Sequence, residues 1–351
     1  MALLFSTGFD WWDEDLSYLF FNYHSGDPNF SYITEGGRTQ TDHSSATCGQ
    51  LTVGTAGGYF RGISVPKKLY TIILGIGVKH RNRYGTAFDG VFFENSSGKQ
   101  GGIKWREDGS IWVFRGSSTY LGTTKPGILS GDIYRHLEVK YHVDNNSGEV
   151  EIRCDGEVVY SGENLDTQVY TGGITWVNLS DGDPEWQDYD DIYILDESGS
   201  YNNDFIGHAE VRTAFVTASG EYTQWLPSSG ENYECVDDEY AGADSDYLVA
   251  SGEDLDQLDS YKFTEFSLPG DSPQFLGVNV WTYQYMEMSG LQRICHTVRV
   301  GSADYSGEMH YVPPGFDFRS TVFERDPSDD GAWTESVLNS AEFGVKRYKN
   351  T

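Results

Sequence analysis

Seven acidic side chains crowd one stretch of the chain, "EWQDYDDIYILDESGSYNNDFIG" (185–207), with five Asp and two Glu around a short apolar run. Two kinds of chemistry could use them. Glycoside hydrolysis needs two carboxyl groups facing each other across the sugar, one kept protonated near neutrality. Calcium needs several oxygens converging from one loop. Asp190 and Asp191 are neighbours in "YDDIYIL", and neighbours on a strand point to opposite faces, so they do not form a catalytic pair. Strict alternation puts Asp190 with Ile192 and Ile194, at the strand's start where its carboxylate reaches water. It puts Asp191 with Tyr193 and Leu195. Glu149 and Glu151 do share a face, but the hairpin partner carrying Glu157 is equally polar, which reads as solvent exposure. No catalytic residue is assigned. Asp181, Asp183, Asp188 and Asp190 lie close enough together to supply oxygens to calcium, although their spacing departs from the EF-hand loop. The metal question stays open at this stage.

No cofactor is expected. "GIGVKHRNRYG" (75–85) lacks the spacing of a dinucleotide fingerprint and no helix pattern follows it. The phosphate-binding G-x-x-x-x-G-K-S/T loop, the H-E-x-x-H zinc motif and the G-x-S-x-G elbow are all missing. Cys48, Cys154, Cys235 and Cys295 are widely separated with no metal-binding spacing, and His296 beside Cys295 makes no site without further ligands. Cys154 alternates with Val150 and Ile152, so a buried, unpaired thiol is expected there.

The elements that must position any site are strands. "YTIILGIGVKH", "FDGVFFE", "GIKWRE" and "IWVFR" are β-branched and aromatic runs separated by Gly, Asp and Ser. "REDGS" places an Asp-Gly turn between the third and fourth. In "LEVKYHV", Leu137, Val139, Tyr141 and Val143 point one way while Glu138, Lys140 and His142 point the other. Asp155-Gly156 then closes a hairpin onto "EVVY" as a type I′ turn does. Helix is nearly absent, with one turn expected in "AWTESVLNSAEFG" (332–344). Strands that are half polar belong to layered antiparallel sheets, not to a parallel sheet with crossover helices. The fold class is therefore all-β, with two β-sandwich, jelly-roll-like domains in tandem. Their boundary falls in "DESGSYNNDFIG", giving 1–205 and 206–351, and "HAEVRTAFV" (208–216) is expected to open the second domain as a strand.

A chain of 351 residues suits two domains. Its 54 acids against 24 Lys and Arg give a formal charge of −30, which repels phosphate backbones and anionic membranes. The stretch 181–259 holds 22 acids and one base, Arg212. It reads as wet loop and edge. The local cluster Lys79, His80, Arg81 and Arg83 reads as a loop tip, or as a docking point for an acidic partner. "MALLF" is short of a signal-peptide core, and no apolar run is long enough for a membrane span.

"LLFSTGFDWW", "LEVKYHVDNNSGEVEIRCDGEVVYSG", "WQDYDDIYILDESGSYNNDFIG", "HAEVRTAFVTASGEYTQW" and the closing "AWTESVLNSAEFGVK" together resemble a family of tailed-bacteriophage virion proteins. The first domain of that family is similar to the concanavalin A-like lectin/glucanase sandwich of laminin-G type. The resemblance implies a non-enzymatic structural component of the virion on capsid or tail, made in the host cytoplasm. Its partners would be other virion proteins and further copies of itself, with no nucleic acid and no membrane insertion. The E-x-D-x-x-E strand of the glucan-cutting relatives is missing here. The alternative is a tail adhesin that binds a host surface glycan, with Trp176 or Trp186 stacking on a sugar ring.

Overall fold

In the computed structural model, the described residues are 2–8, 22–24, 29–32, 51–54, 59–61, 63–80, 87–129, 133–179, 187–238, 246–250, 256–267, 274–286 and 292–348. The chain divides into two compact units, Met1–Arg212 and Thr213–Thr351. Among the described residues the first holds β1 (Leu3–Thr7), β2 (Asn22–His24), β3 (Asn29–Tyr32), β4 (Leu51–Gly54), β5 (Tyr59–Arg61) and β6 (Ile63–Leu69). It continues with β7 (Thr71–His80), β8 (Ala87–Asn95), β9 (Gly98–Arg106), β10 (Ile111–Arg115) and β11 (Thr119–Thr123). β12 (Tyr134–His142), β13 (Gly148–Cys154), β14 (Glu157–Leu165), β15 (Ile174–Leu179) and β16 (Gln187–Leu195) complete it. These form an eight-stranded sheet, ordered β14-β13-β12-β7-β16-β4-β3 with β1 on β16, and a six-stranded sheet, ordered β11-β10-β9-β8-β15-β6. The pairings are antiparallel throughout.

The two sheets face each other because alternate residues of both are apolar. Ile72, Leu74, Ile76, Leu137, Val139 and Tyr141 from the larger sheet are fully buried, as are Val91, Phe93, Ile103, Trp105, Ile111 and Val113 from the smaller. Their polar handles meet across the layer. Trp105 Nε1 donates to the Tyr189 hydroxyl at 3.2 Å, and the Tyr141 hydroxyl donates to the carbonyl of Phe114, also at 3.2 Å. Truncating one of these aliphatic side chains to Ala would cost about 2–5 kcal/mol. The β13–β14 turn has Asp155 at φ 50° and Gly156 at φ 84°, the two positive angles of a type I′ turn.

In the second unit β17 (Val216–Thr223), β18 (Leu226–Pro227), β19 (Leu248–Val249), β20 (Gln257–Phe263) and β21 (Val278–Met286) come first. β22 (Gln292–Val300), β23 (Ala303–Val312), β24 (Gly315–Phe323) and β25 (Glu342–Tyr348) follow. A five-stranded sheet runs β17-β20-β25-β22-β23, and β21 pairs with β24 as a separate ribbon. Val278 and Val280 of the ribbon pack on a core of Val298, Phe323, Trp333, Leu338, Ala341 and Phe343. A short helix, α1 (Glu335–Ser340), starts where the Thr334 side chain accepts a hydrogen bond from Val337 N. Leu338 on α1 is buried in that core.

Two readings from the sequence are corrected. Residues 208–215 form no strand; β17 starts at Val216. Those residues instead carry the chain away from β16, with Val211 N bonded to Asp191 Oδ1 at 2.8 Å. Nor is the acid-rich stretch uniformly wet. Asp190, Asp191, Asp196 and Asp259 are all buried, and each accepts backbone N–H groups or side-chain donors that no strand ladder satisfies.

Candidate functional site

β9 and β10 are joined by a turn in which Gly109 N bonds to the carbonyl of Arg106 and Arg106 N to that of Ser110. That turn sets Lys104 opposite Trp112 and Gly102 opposite Phe114. Ile103, Trp105, Ile111 and Val113 take the inner face, so Lys104, Arg106, Trp112 and Phe114 stand on the face turned away from the core. β11 adds Tyr120 beside Phe114, and β8 adds Phe92 beside Gly102.

On this face the aromatic rings touch one another. Trp112 lies 5.7 Å from Phe114 and 5.4 Å edge-on from Tyr120, and Phe114 is 6.1 Å from Tyr120. Cations lie over the rings. The Arg106 guanidinium is 3.9 Å from the Trp112 centroid, Lys99 Nζ 3.8 Å from Phe92, and Lys104 Nζ 4.8 Å from Phe114. Each such pairing is worth roughly 0.5–1 kcal/mol at an exposed position and more when desolvated. Phe92 and Phe114 are covered, whereas Tyr120 is 51% exposed. Trp176, on β15, stands on the same face in register with Glu94 and is half-buried. Chemically, the face combines apolar ring surface with donors and positive charge.

A second polar cluster lies on the outer face of the larger sheet. Asp190 and Tyr193 would point oppositely in a regular strand, but the β16–β7 register shifts between them. Asp191 takes φ 49° there. This bulge brings Asp190, opposite Gly77, and Tyr193, opposite Gly75, to one face. Asp190 therefore does not share the isoleucine side and does not reach water: it is fully buried. The Glu138 carboxylate is also buried. Its Oε1 accepts from the Tyr193 hydroxyl at 2.8 Å and from Ile206 N and Gly207 N, both at 2.9 Å. His136 Nε2 lies 3.2 Å from the same hydroxyl. Burial, then the Glu138 charge and hydrogen bond, push the Tyr193 hydroxyl well above the usual tyrosine range. Lys140 pairs with Glu197 at 2.6 Å and Asp204 at 3.5 Å, and Arg153 stacks 3.9 Å over Phe205. The stretch 197–211 thus crosses the sheet and covers these groups. The cluster is a clamp on the exit peptide, with its functional groups closed off from a substrate.

The other sequence-derived candidates do not converge. Glu151 is paired with Arg153 at 2.7 Å, while Glu149 and Glu157 are exposed. Asp181, Asp183, Trp186, Arg81, Arg83 and Cys48 lie outside the described residues. Among the described residues, no group of three or more His, Cys, Asp or Glu could hold a metal. Cys154 is buried and free, and burial pushes its thiol up to about 12. Within the same residues no helix is long and apolar enough to cross a membrane. Sequence reasoning passed over Arg106, Lys104 and Trp112, reading their segments only as strands, and assigned nothing to the segment of Tyr120. The signal was available: an Asp-Gly turn of known length fixes which of Lys104 and Trp112 face each other.

No family model matches the chain, and no curated protein matches it. Among solved structures it is similar to an endo-β-1,4-glucuronan lyase from the fungus Trichoderma reesei, with TM-score 0.36, 11% identity, and coverage of 49% of this chain and 89% of that one. An alginate lyase variant in complex with an alginate tetrasaccharide gives TM-score 0.30 and 15% identity over 47% and 93% of the two chains. The Trypanosoma rangeli sialidase gives TM-score 0.32 and 11% identity, over 41% of this chain and 25% of its own length. The expectation of a non-enzymatic structural component of a bacteriophage virion finds no match among these neighbours and is withdrawn. By their names all three are enzymes, two of them polysaccharide lyases, and none is a virion protein. The likenesses are partial and distant, and what those enzymes act on is theirs.

Proposed function

We propose that this chain is a carbohydrate-binding protein whose first unit is a lectin-like, concanavalin A-type sandwich, with the glycan lying across the outer face of the six-stranded sheet. The observation that carries the reading is the joined patch of Trp112, Phe114 and Tyr120 with Arg106 and Lys104 over its rings and Lys99 over the neighbouring Phe92. A pyranose ring has an apolar C–H face and a rim of hydroxyls. An exposed aromatic ring face suits the first and cationic donors suit the second. Tyr120, half exposed at the rim of the patch, offers the ring on which a sugar stacks. The patch sits on strands, so its geometry is held by the ladder and not by loops.

Affinity electrophoresis or calorimetry across a panel of plant, algal and bacterial polysaccharides tests this. At least one polymer should retard the protein, and Trp112→Ala should weaken binding about tenfold while thermal stability stays near the parent's. Failure of every polymer to bind, or full affinity in Trp112→Ala, would overturn the reading. New reducing ends or unsaturated sugar ends in the same incubations would extend it from binding to cleavage.

A further inference from the structure

We infer that the glycan taken by this face carries carboxylates, that is, a polyuronic acid, and that Arg106 is the residue that reads them; the inference rests on the binding reading above. In a chain with 54 acids to 24 bases, arginines find carboxylates readily. Arg115, Arg135, Arg153, Arg212, Arg299 and Arg319 each have one within ion-pair distance. Arg106 does not. Its Nε is buried with no hydrogen-bond partner, as are those of Arg115, Arg135 and Arg319, and its guanidinium carbon lies 3.9 Å from the centroid of the Trp112 ring.

The acid that senses it, Asp108, is already committed. Its Oδ1 accepts from Ser110 N at 2.9 Å and Ser110 Oγ at 2.6 Å. Those bonds, with the Arg106 charge as a smaller contribution, hold its carboxyl below the usual range. With Nε buried, the terminal amino groups of the Arg106 fork remain to bind, and two parallel N–H groups match the two oxygens of a carboxylate. Stacking also fixes the fork in advance, so little rotamer entropy remains to be lost on binding.

The neighbouring charges agree. Lys99 and Lys104 add positive potential over Phe92 and Phe114, although both are also engaged elsewhere, which leaves recognition to Arg106. The acids of this face stand at other register positions, Glu94 opposite Trp176 on β15 and Asp89 opposite Lys104, and neither is in register with Arg106. A chain of net charge −30 repels polyanions at long range. Gathering cations over rings on one sheet face reverses that locally. A neutral glycan would need no such reversal, since stacking and hydroxyl bonds suffice.

The test compares glucuronan, polygalacturonate and alginate, each beside the same polymer with its carboxyls reduced to alcohols. The full-length chain should bind at least one acidic polymer tenfold or more tighter than its reduced form, with affinity falling as salt rises. Arg106→Gln should lose about tenfold on the acidic polymer and clearly less on the reduced one, and Arg106→Lys should fall between. A variant that was merely misfolded would lose both polymers together, and an unchanged thermal transition checks this. Equal binding of acidic and reduced polymers, or full affinity in Arg106→Gln, would overturn the carboxylate inference while leaving glycan binding intact. No binding to either member of any pair, nor to a neutral polysaccharide, would remove both.

Discussion

Acid should loosen the second unit through His296, and the size of the effect follows from the environment of that ring. His296 is fully buried, with Nδ1 2.7 Å from Thr321 Oγ1 and Nε2 2.9 Å from Thr282 Oγ1. Burial, followed by the charge of His310, pushes its pKa down from the usual 6.5 to about 3. Because the folded value is the lower one, the unfolded chain binds the extra proton in the window between the two. The contribution to stability is complete above about pH 6.5 and is lost progressively as pH falls towards 3. Each unit within that window costs about 1.4 kcal/mol, so roughly 2 kcal/mol is gone by pH 5. The comparison that isolates this is wild type against His296→Gln, which keeps a donor and an acceptor but does not titrate. Hydrogen exchange read by mass spectrometry on β22 and β24 peptides, corrected for intrinsic rates, reports on this unit alone. At pH 7 the variant should be the less stable, by about 1–3 kcal/mol. By pH 5 the gap should have narrowed by roughly 2 kcal/mol. Carboxylates that titrate in the same range act on both proteins and cancel. Parallel stability curves from pH 7 to 5 would refute the reasoning.

The clamp and the thiol give two further expectations. Glu138→Ala leaves Ile206 N, Gly207 N and the Tyr193 hydroxyl without their shared acceptor, so it should cost roughly 2–4 kcal/mol and speed proteolysis within 197–211; an unchanged melt and cleavage pattern would contradict the clamp. Cys154, its thiol pushed up to about 12 first by burial and then by the Asp155 charge, should resist a thiol reagent at pH 8 until the protein unfolds, with peptide mapping separating it from the other cysteines. Rapid labelling at Cys154 in folded protein would argue against that environment.

The all-β architecture was legible because burial on one side of a strand writes itself as alternation. In β13, Val150, Ile152 and Cys154 are inward, as their spacing demands, and Asp155-Gly156 marks the hairpin because few other pairs tolerate two positive φ angles. What alternation could not show is where it breaks. The bulge at Asp190–Asp191 adds one residue and leaves no compositional mark, yet it decides which face Asp190 and Tyr193 occupy. The buried acids were hidden for a related reason. Asp259 looks like any loop carboxylate in sequence, and only the tertiary fold brings Trp225 N, Asn232 and Tyr261 to it. The outer face of the smaller sheet was half legible. The β9–β10 turn fixes the pairing of Lys104 with Trp112, but the cation–ring contacts depend on side-chain directions that periodicity does not carry.

The clamp on 197–211 also has a mechanical consequence. The peptide leaving β16 is fastened twice before the first unit ends, at Glu138 through Ile206 and Gly207 and at Asp191 through Val211. Tension applied to the chain beyond Arg212 therefore loads these carboxylate bonds in series before it reaches the ladder of β16. They act as a strain relief: the tether can peel and re-form while the sandwich, and the face it carries, keeps its shape.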